Sequence, residues 1–316
     1  MAAPILQTNQ LSKTYTGGGR ELKALDKLSL EVQTGEIFGY LGPNGAGKTT
    51  TIRLLLDLIR PTAGSATLFG MDVHTTSVEI HKRIGFLPGE LNLWKNRTAS
   101  QVIYYIASIR GNIDAQLKES QKLADRLKFD PSKKIRDFST GNKRKLGLIL
   151  AMMHLPELLI LDEPTSGLDP LMQQTFNQMM TEVRADGRTV FLSSHQLTEV
   201  QAICDRVAIL RDGQLRAVQS VESLMKAGFR YVDLQFRDPV PAMWQERLES
   251  IGAQDVVVKD NTIHCKLRGD FDPVLRVVAS GYVVDINVRE PSLEEVFLTF
   301  YGKSQNETTT TQETVR

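Results

Sequence analysis

The sequence predicts an α/β protein with a parallel-sheet core and a smaller α+β domain after it. Three observations carry this prediction. An apolar run from Ile37 to Leu41 leads into a glycine-rich loop and then an amphipathic segment, which is the order strand, loop, helix. A second apolar run, Leu158 to Leu161, ends in two adjacent carboxylates. After Leu215 the pattern changes to short strands and helices in alternation.

The glycine-rich loop matches the pattern G-x-x-x-x-G-K-[ST]. In such a loop, backbone N–H groups and a helix N-terminus surround phosphate oxygens, while Lys48 reaches the outer phosphates and the Thr49 hydroxyl ligates Mg²⁺. The residues expected to bind a nucleoside triphosphate are Gly42, Pro43, Asn44, Gly45, Ala46, Gly47, Lys48, Thr49 and Thr50. By itself this loop leaves kinases, GTPases and many ATPases open.

The segment after the loop is predicted to be a helix. Its apolar residues Ile52, Leu55, Leu56 and Ile59 repeat at helical spacing, and Pro61 ends the pattern. The positive end of the helix dipole would therefore face the bound phosphates.

The second apolar run is followed by Asp162 and Glu163. A buried strand that ends in two carboxylates can place one of them on a metal ion and the other beside it. The sequence therefore predicts that both carboxylates lie at the triphosphate site.

A small-residue turn, residues 138–145, precedes an apolar helix a little upstream of these carboxylates. Ser139 can cap this helix and leave N–H groups free for an anion. At this point the chain resembles the ABC-type ATPases, whose signature is Leu-Ser-Gly-Gly-Gln followed by basic residues. The signature positions here are Ser139, Thr140, Gly141 and Asn142, of which the serine and the glycine match the family.

Further family landmarks follow in order. Residues 164–169 look like the family's D-loop, with positions Ser166, Gly167, Leu168 and Asp169. The run from Thr189 to Ser194 reads as a strand and leads to His195, where the family has its switch histidine. Tyr15 lies where the family stacks an aromatic ring on adenine, although on its own it would be a half-buried tyrosine at a strand edge.

The resemblance implies ATP hydrolysis with Mg²⁺ as the cofactor. Phosphoryl transfer spreads charge in its transition state and needs little covalent help, so Lys48 and the loop amides would neutralise that charge. Glu163 is the candidate for the base that orients the attacking water. His195 would hold the terminal phosphate, and Asp162 would bind Mg²⁺ through water.

The resemblance also implies partners. Two such domains are expected to close head to tail, with Ser139 and Gly141 of one copy capping the ATP that Lys48 of the other holds. A homodimer, or a pair formed with another ATPase subunit, would thus work with integral-membrane permease subunits at the cytoplasmic face of a bacterial membrane.

One position departs from the family, which usually has a glutamine after the strand Ile84 to Pro88. This chain has Gly89 there, followed by Glu90. Either Glu90 reaches the metal or a water molecule completes its shell. The water is favoured, because a shifted register would turn the Glu90 side chain away.

Composition is typical of a globular chain with one large or two modest domains: 316 residues, 41% hydrophobic and 24% charged. The formal net charge of +1 gives no basic field for nucleic acid, and the basic residues 143–145 read as a helix face. Cys204 and Cys265 lie far apart and do not have the spacing of a metal-binding motif. Two such cysteines are typical of a protein in a reducing compartment, where disulfides do not form. No run qualifies as a membrane span or a secretion signal, so we expect a soluble chain.

The domain boundaries are predicted at 1–220 for the ATPase domain, with a helical subdomain at about 90–155, and at 221–302 for an accessory domain. The helical subdomain should contain helices 98–110 and 114–129. Leu91, Leu93 and Trp94 are candidates for contact with a membrane partner, with burial in the core equally open. An antiparallel β subdomain, with strands such as Pro4 to Leu11 and Leu28 to Val32, completes the family pattern.

The accessory domain has the predicted order β-α-β-β-α-β, which suggests a ferredoxin-like fold. The segment Glu290 to Leu298 resembles the closing helix of ATPases from bacterial exporters. Residues 303–316 have too little apolar surface to order themselves.

The expected function is therefore an ATPase subunit that powers export of a drug, antibiotic, lipid or polymer. Two other classes of protein fit the sequence less well. A soluble ABC ATPase acting on ribosomes or DNA usually has two cassettes or a long coiled-coil insertion, and this chain has neither. A small-molecule kinase would not need the Ser139 turn or His195.

Overall fold

A computed structural model describes residues 4–17, 20–225 and 229–289. The chain divides into two compact units, residues 1–220 and 221–316. The predicted closing segment from Glu290 and the polar tail from Lys303 lie outside the described residues.

The elements of the first unit are, in chain order, β1 (Leu6–Gly17), β2 (Arg20–Val32), β3 (Ile37–Leu41), α1 (Lys48–Leu55), β4 (Ala63–Leu68), β5 (Met71–Asp72), α2 (Ser77–Arg83), β6 (Ile84–Leu87), α3 (Ala99–Arg110), α4 (Ile113–Arg126), α5 (Thr140–Met152), β7 (Leu158–Asp162), α6 (Pro170–Ala185), β8 (Thr189–Ser194), α7 (Leu197–Ile203), β9 (Arg206–Arg211) and β10 (Gln214–Ser220). Those of the second unit are α8 (Val221–Met225), β11 (Arg230–Phe236), α9 (Met243–Ser250), β12 (Gln254–Lys259), β13 (Thr262–Leu267), α10 (Asp272–Val278) and β14 (Val283–Arg289).

The central sheet of the first unit has the strand order β10-β9-β3-β8-β7-β6 within the described chain. The strands from β9 to β6 run parallel, and β10 is antiparallel at the edge. Strands β3, β7 and β8 are buried at every residue, as expected for apolar runs covered on both faces. Because parallel strands end at the same edge, the segments after these three strands meet there.

A second sheet, in the order β2-β1-β4-β5, is antiparallel. Strands β1 and β2 are longer than predicted, since the expected strands ended at Leu11 and began at Leu28. Gln10 and Lys27 have positive φ values of 47° and 49° and lie beside shifts in register. Such bulges interrupt the alternation of apolar and polar residues by which a strand is recognised in sequence.

The helical subdomain contains α3, α4 and α5. Helix α3 begins with a capping box, in which the Thr98 hydroxyl accepts from Gln101 N–H and the Gln101 side chain accepts from Thr98 N–H. Helix α4 is three residues shorter at its C-terminus than the predicted 114–129. Lys128 has a φ of 48°, a left-handed conformation that ends a helix.

The elements of the first unit without a prediction are β5, α2, α6, α7, β9 and β10. Strand β5 has two residues, and α2 has one buried residue, Ile80, among seven. A single apolar position gives no helical periodicity to recognise.

The second unit contains a sheet in the order β12-β13-β11-β14, in which every described pair is antiparallel. Helices α9 and α10 pack on this sheet. Their buried residues are Trp244, Leu248, Val274 and Val278, which form one apolar cluster with alternate residues of the strands. The predicted order β-α-β-β-α-β is found in β11, α9, β12, β13, α10 and β14. In the part of the chain described, no helix is long and apolar enough to cross a bilayer.

Candidate functional site

The loop between β3 and α1 has the backbone conformation of a phosphate-binding loop. Gly47, the N-cap of α1, has a φ of 107°, and a Cβ there would lie 2.6 Å from the carbonyl oxygen of Ala24. Glycine is therefore required both by backbone conformation and by space. The first turn of α1 has no acidic side chain, so its free N–H groups remain available for an anion.

Lys48 is the buried cation of this loop, with 6% of its surface exposed. Its Nζ donates to the carbonyl oxygens of Gly42 at 2.7 Å and Pro43 at 3.3 Å. It also lies 3.6 Å from Glu163 Oε1. The carbonyl groups of the loop thus hold the ammonium group at the position where phosphate oxygens would bind.

Asp162, the last residue of β7, faces α1 across this site. Thr49 Oγ1 donates to Asp162 Oδ2 at 3.1 Å, and Ser193 Oγ at the end of β8 donates to Asp162 Oδ1. A hydroxyl and a fixed carboxylate within hydrogen-bond distance supply the oxygen ligands that Mg²⁺ prefers. The donor set therefore fits a magnesium ion between the loop and β7.

Glu163 is held in an unusual conformation. Its φ is 52°, in the left-handed region that few non-glycine residues adopt, and its N–H donates to the Ser193 carbonyl oxygen at 3.1 Å. Its carboxylate lies 2.6 Å from His195 Nδ1, which follows β8. Lys48, Glu163 and His195 therefore form one contiguous cluster at the carboxyl edge of the sheet, although Lys48 is more than a hundred residues from the other two in sequence.

The turn that begins α5 packs against the segment after β7. Ser139 caps α5 by accepting from Asn142 N–H at 3.2 Å. A Cβ at Gly141 would lie 2.8 Å from the Gly167 carbonyl oxygen, so this glycine permits close backbone approach. Asp169 caps α6 through Met172 N–H. Ser139 and Thr140 are exposed.

Tyr15 lies in β1 with 37% of its surface exposed, and Lys13 Nζ is 5.2 Å from the centre of its ring. Among the described residues, no hydrogen bond or ring contact joins Tyr15 to the loop after β3. Its predicted role with adenine therefore stays a prediction.

Gly89 places backbone against the carboxylate of Asp162. A Cβ at this position would lie 3.1 Å from Asp162 Oδ2 and 3.5 Å from Asp162 Cγ. The side chain of Glu90 is exposed. These positions are consistent with the expectation that Glu90 does not replace the family's glutamine.

Residues 143–145 were predicted to form a helix face beside the phosphate site, and they lie in α5. Lys143 and Lys145 are half-buried, but Arg144 is 6% exposed and its guanidinium donates to backbone carbonyl oxygens of the site. The sequence gave no indication that Arg144 is buried, because hydrophobic periodicity identifies only the apolar residues on a buried face.

Glu199 of α7 is a second buried group that the sequence did not reveal. Ser194 Oγ donates to Glu199 Oε2 at 2.7 Å. Burial raises the pKa of this carboxyl, while hydrogen bonds from Ser194 and Thr165 lower it. It thereby fixes the residue that precedes His195.

A family model described as ABC transporter matches residues 25–166. The bacitracin transport ATP-binding protein of Bacillus licheniformis is 33% identical over 314 residues, covering 94% of this chain and 97% of its own length. That of Enterococcus faecalis is 30% identical, covering 94% and 96%.

Solved structures agree with the fold. The ATP-binding subunit of an ABC transporter matches with a TM-score of 0.65 and 27% identity, over 71% of this chain and 92% of that one. A dimeric ATP-binding cassette bound to ADP and Pi matches with a TM-score of 0.64 and 21% identity, over 68% and 98%.

The loop before α1, the carboxylates after β7 and the parallel sheet between them define a P-loop nucleoside triphosphatase. The relatives identify which kind. This chain belongs to the family of ABC transporter ATP-binding proteins, and it is an ATPase that serves as the ATP-binding subunit of such a transporter. The predicted family and ATPase activity are thereby confirmed.

Proposed function

We propose that this chain pairs with a second copy on ATP and powers an integral-membrane permease that exports a drug, antibiotic, lipid or polymer. The observation that carries the proposal is the cluster of Lys48, Glu163 and His195 beside Asp162. The two relatives named for bacitracin transport favour an antibiotic as cargo. The protein would act at the cytoplasmic face of a bacterial membrane.

The residues of the cluster divide the chemistry among them. Thr49 and Asp162 would hold Mg²⁺, which when bound neutralises charge on the phosphates. Lys48 and the loop amides bind the triphosphate. Glu163 orients the attacking water and accepts its proton, and His195 holds the terminal phosphate.

The contacts of Glu163 suggest how ATP starts the reaction. Its carboxylate lies 3.6 Å from Lys48 Nζ and 2.6 Å from His195 Nδ1. A triphosphate in the loop attracts both of these groups, because its oxygens carry more negative charge than one carboxylate. Binding would therefore release Glu163 to contact water.

The exposed signature turn supports a site shared between two copies. Ser139 and Thr140 lie at the N-terminus of α5 and face solvent, so they can cap ATP held by the partner. Gly141 and Asn142 complete this turn, and residues 166–169 would lie at the same junction. A single copy is then expected to hydrolyse ATP poorly.

The permease is expected to dock on the helical subdomain. Trp94 and Tyr105 pack edge to face, with ring centres 5.1 Å apart, beside a groove of about 500 Å³. Trp94, Tyr104 and Tyr105 are each about half exposed. Leu91 instead lies against Gly147 of α5, which favours Trp94 over Leu91 as the contact residue.

For residues 221–302 we propose an accessory domain with a ferredoxin-like fold. The order β11-α9-β12-β13-α10-β14 and the sheet order β12-β13-β11-β14 support it. Regulation or contact between copies is the expected role.

The test is to express the chain with the membrane protein encoded by its neighbouring gene in a bacitracin-sensitive bacterium. We expect raised resistance that Glu163→Gln abolishes at equal protein level. Resistance that is unchanged by Glu163→Gln contradicts the proposal. The proposal of export is wrong if co-expression of the wild-type chain and the membrane protein changes resistance to no compound tested, and if inside-out vesicles containing both show no ATP-dependent uptake.

A further inference from the structure

Arg144 makes contacts that neither the signature motif nor the family assignment explains. It lies in the second turn of α5, and its guanidinium points into the first unit with 6% of the residue exposed. Nη1 donates to the Pro88 carbonyl oxygen at 2.8 Å, and Nη2 donates to the Gly89 carbonyl oxygen at 2.8 Å. A third, longer contact joins Nη1 to the Asp162 carbonyl oxygen at 3.4 Å.

These three carbonyl groups belong to the ends of two strands. Pro88 and Gly89 follow β6, and Asp162 ends β7, the neighbouring parallel strand. One side chain therefore joins the first turns of α5 to the segment after β6 and to the residue placed at the magnesium site. The planar guanidinium suits this task, because its donors diverge in fixed directions.

The position of Arg144 is energetically demanding. Burial lowers the pKa of its guanidinium, and the negative charges of Asp162, Glu163 and Glu199 oppose this effect. A buried cation that contacts backbone carbonyl groups, with carboxylates as its compensating charges, depends on the site remaining intact.

Gly89 completes the arrangement. Its backbone approaches Asp162 so closely that a Cβ would lie 3.1 Å from Oδ2. Asp162 has little freedom to yield, because Thr49 donates to one carboxylate oxygen and Ser193 to the other. A glutamine at position 89 would crowd this carboxylate, so a connection between the segment after β6 and the site has to run through backbone.

We propose that Arg144 is a positioning residue that takes over this connection: it holds the backbone of residues 88 and 89 against Asp162 and so ties the signature helix α5 to the magnesium site of its own copy. The inference rests on the proposed function of Asp162. Movement of α5 when two copies close would reach Asp162 through this guanidinium, rather than through a side chain at position 89.

The experiment compares Arg144→Ala, Arg144→Lys and Lys143→Ala in the full chain. Lys143 is the matched control, because it is a basic residue of the same turn and has no contact with residues 88 and 89 among the described residues. Three quantities are measured for each protein: kcat for ATP with Mg²⁺, the Kd for ATP in EDTA, and hydrogen exchange of the amides of residues 89–91 without nucleotide.

For Arg144→Ala we expect kcat to fall roughly 10-fold to 100-fold and the Kd in EDTA to change less than about 3-fold. Exchange at residues 89–91 should accelerate. Arg144→Lys should recover part of kcat, because an ammonium can still donate to one or two of the carbonyl groups. Lys143→Ala should match the wild-type chain in kcat, in the Kd for ATP and in amide exchange at residues 89–91.

A wild-type kcat in Arg144→Ala, or wild-type exchange at residues 89–91, overturns the inference. So does a loss of ATP binding that parallels the loss of kcat and is not relieved in Arg144→Lys, since that pattern indicates a general packing role. The exchange measurement needs neither turnover nor a permease, so failure of the proposed export function is judged separately by the resistance assay.

Discussion

At the scale of single residues, the site depends on where charges are held. Glu163 combines a left-handed backbone with two close neighbours, Lys48 and His195. Strained backbone persists where surrounding contacts determine it, and here the N–H bond to Ser193 does so. The backbone of the proposed base is thus fixed by its contact with β8.

Glu163→Gln should bind ATP and lose turnover by about 10²-fold to 10⁴-fold, because the amide cannot accept a proton. Steady-state hydrolysis and ATP binding measure the two effects. Glu157→Gln is a control at the opposite end of β7, where the carboxylate pairs with Arg83 near the surface. Equal turnover in wild-type and Glu163→Gln proteins would remove Glu163 from the mechanism.

Gly89→Ala should raise the Mg²⁺ concentration needed for half-maximal hydrolysis, because the new methyl group would lie 3.1 Å from Asp162 Oδ2. A change of about 3-fold to 10-fold is expected. Glu90→Ala is the neighbouring control and should leave the Mg²⁺ dependence unchanged. An identical dependence in Gly89→Ala would mean that Asp162 does not hold the metal.

At the scale of elements, the helices carry caps that fix where they begin. Ser139 caps α5 and Thr98 caps α3, each through N–H groups of the first turn. Both caps are hydroxyl groups that accept from a backbone N–H. Only Ser139 is also a residue of the signature turn.

Ser139→Ala and Thr98→Ala should each lower the free energy of unfolding by about 1 kcal/mol, which urea titration measures. Only Ser139→Ala should also lower ATP hydrolysis, because its hydroxyl is proposed to contact the nucleotide of the partner. Full-speed hydrolysis by purified Ser139→Ala protein would contradict the shared site.

At the scale of the whole molecule, buried titratable groups link stability to pH. Burial and the nearby charge of Arg110 lower the pKa of His154 to about 4, against the hydrogen bond to the Ile84 carbonyl oxygen. His154 lies between α5 and β7 in the first unit.

Because the folded state disfavours protonated His154, its contribution to stability is complete above the unfolded pKa of about 6.5 and is lost as pH falls toward 4. The loss should reach about 3 kcal/mol, at about 1.4 kcal/mol per unit of pKa shift. Thermal unfolding between pH 7 and 4 should therefore be less pH-dependent in His154→Gln. His264→Gln, in which an exposed histidine of the second unit is replaced, is the control. If the unfolding temperature changes equally with pH in His154→Gln and in the wild-type chain, His154 does not titrate in this way.

The sequence by itself determined the family, the phosphate-binding loop, the signature turn and the buried strands β3, β7 and β8, because each is written in contiguous residues with a fixed backbone requirement or an apolar run. Only the tertiary structure decided that Arg144 is buried, that Ser193 and Thr49 fix Asp162, and that the buried Glu199 accepts a hydrogen bond from Ser194. These contacts join residues distant in the chain, and their polar side chains leave no periodic signal. A buried charge is favourable only where folding brings its partners to it.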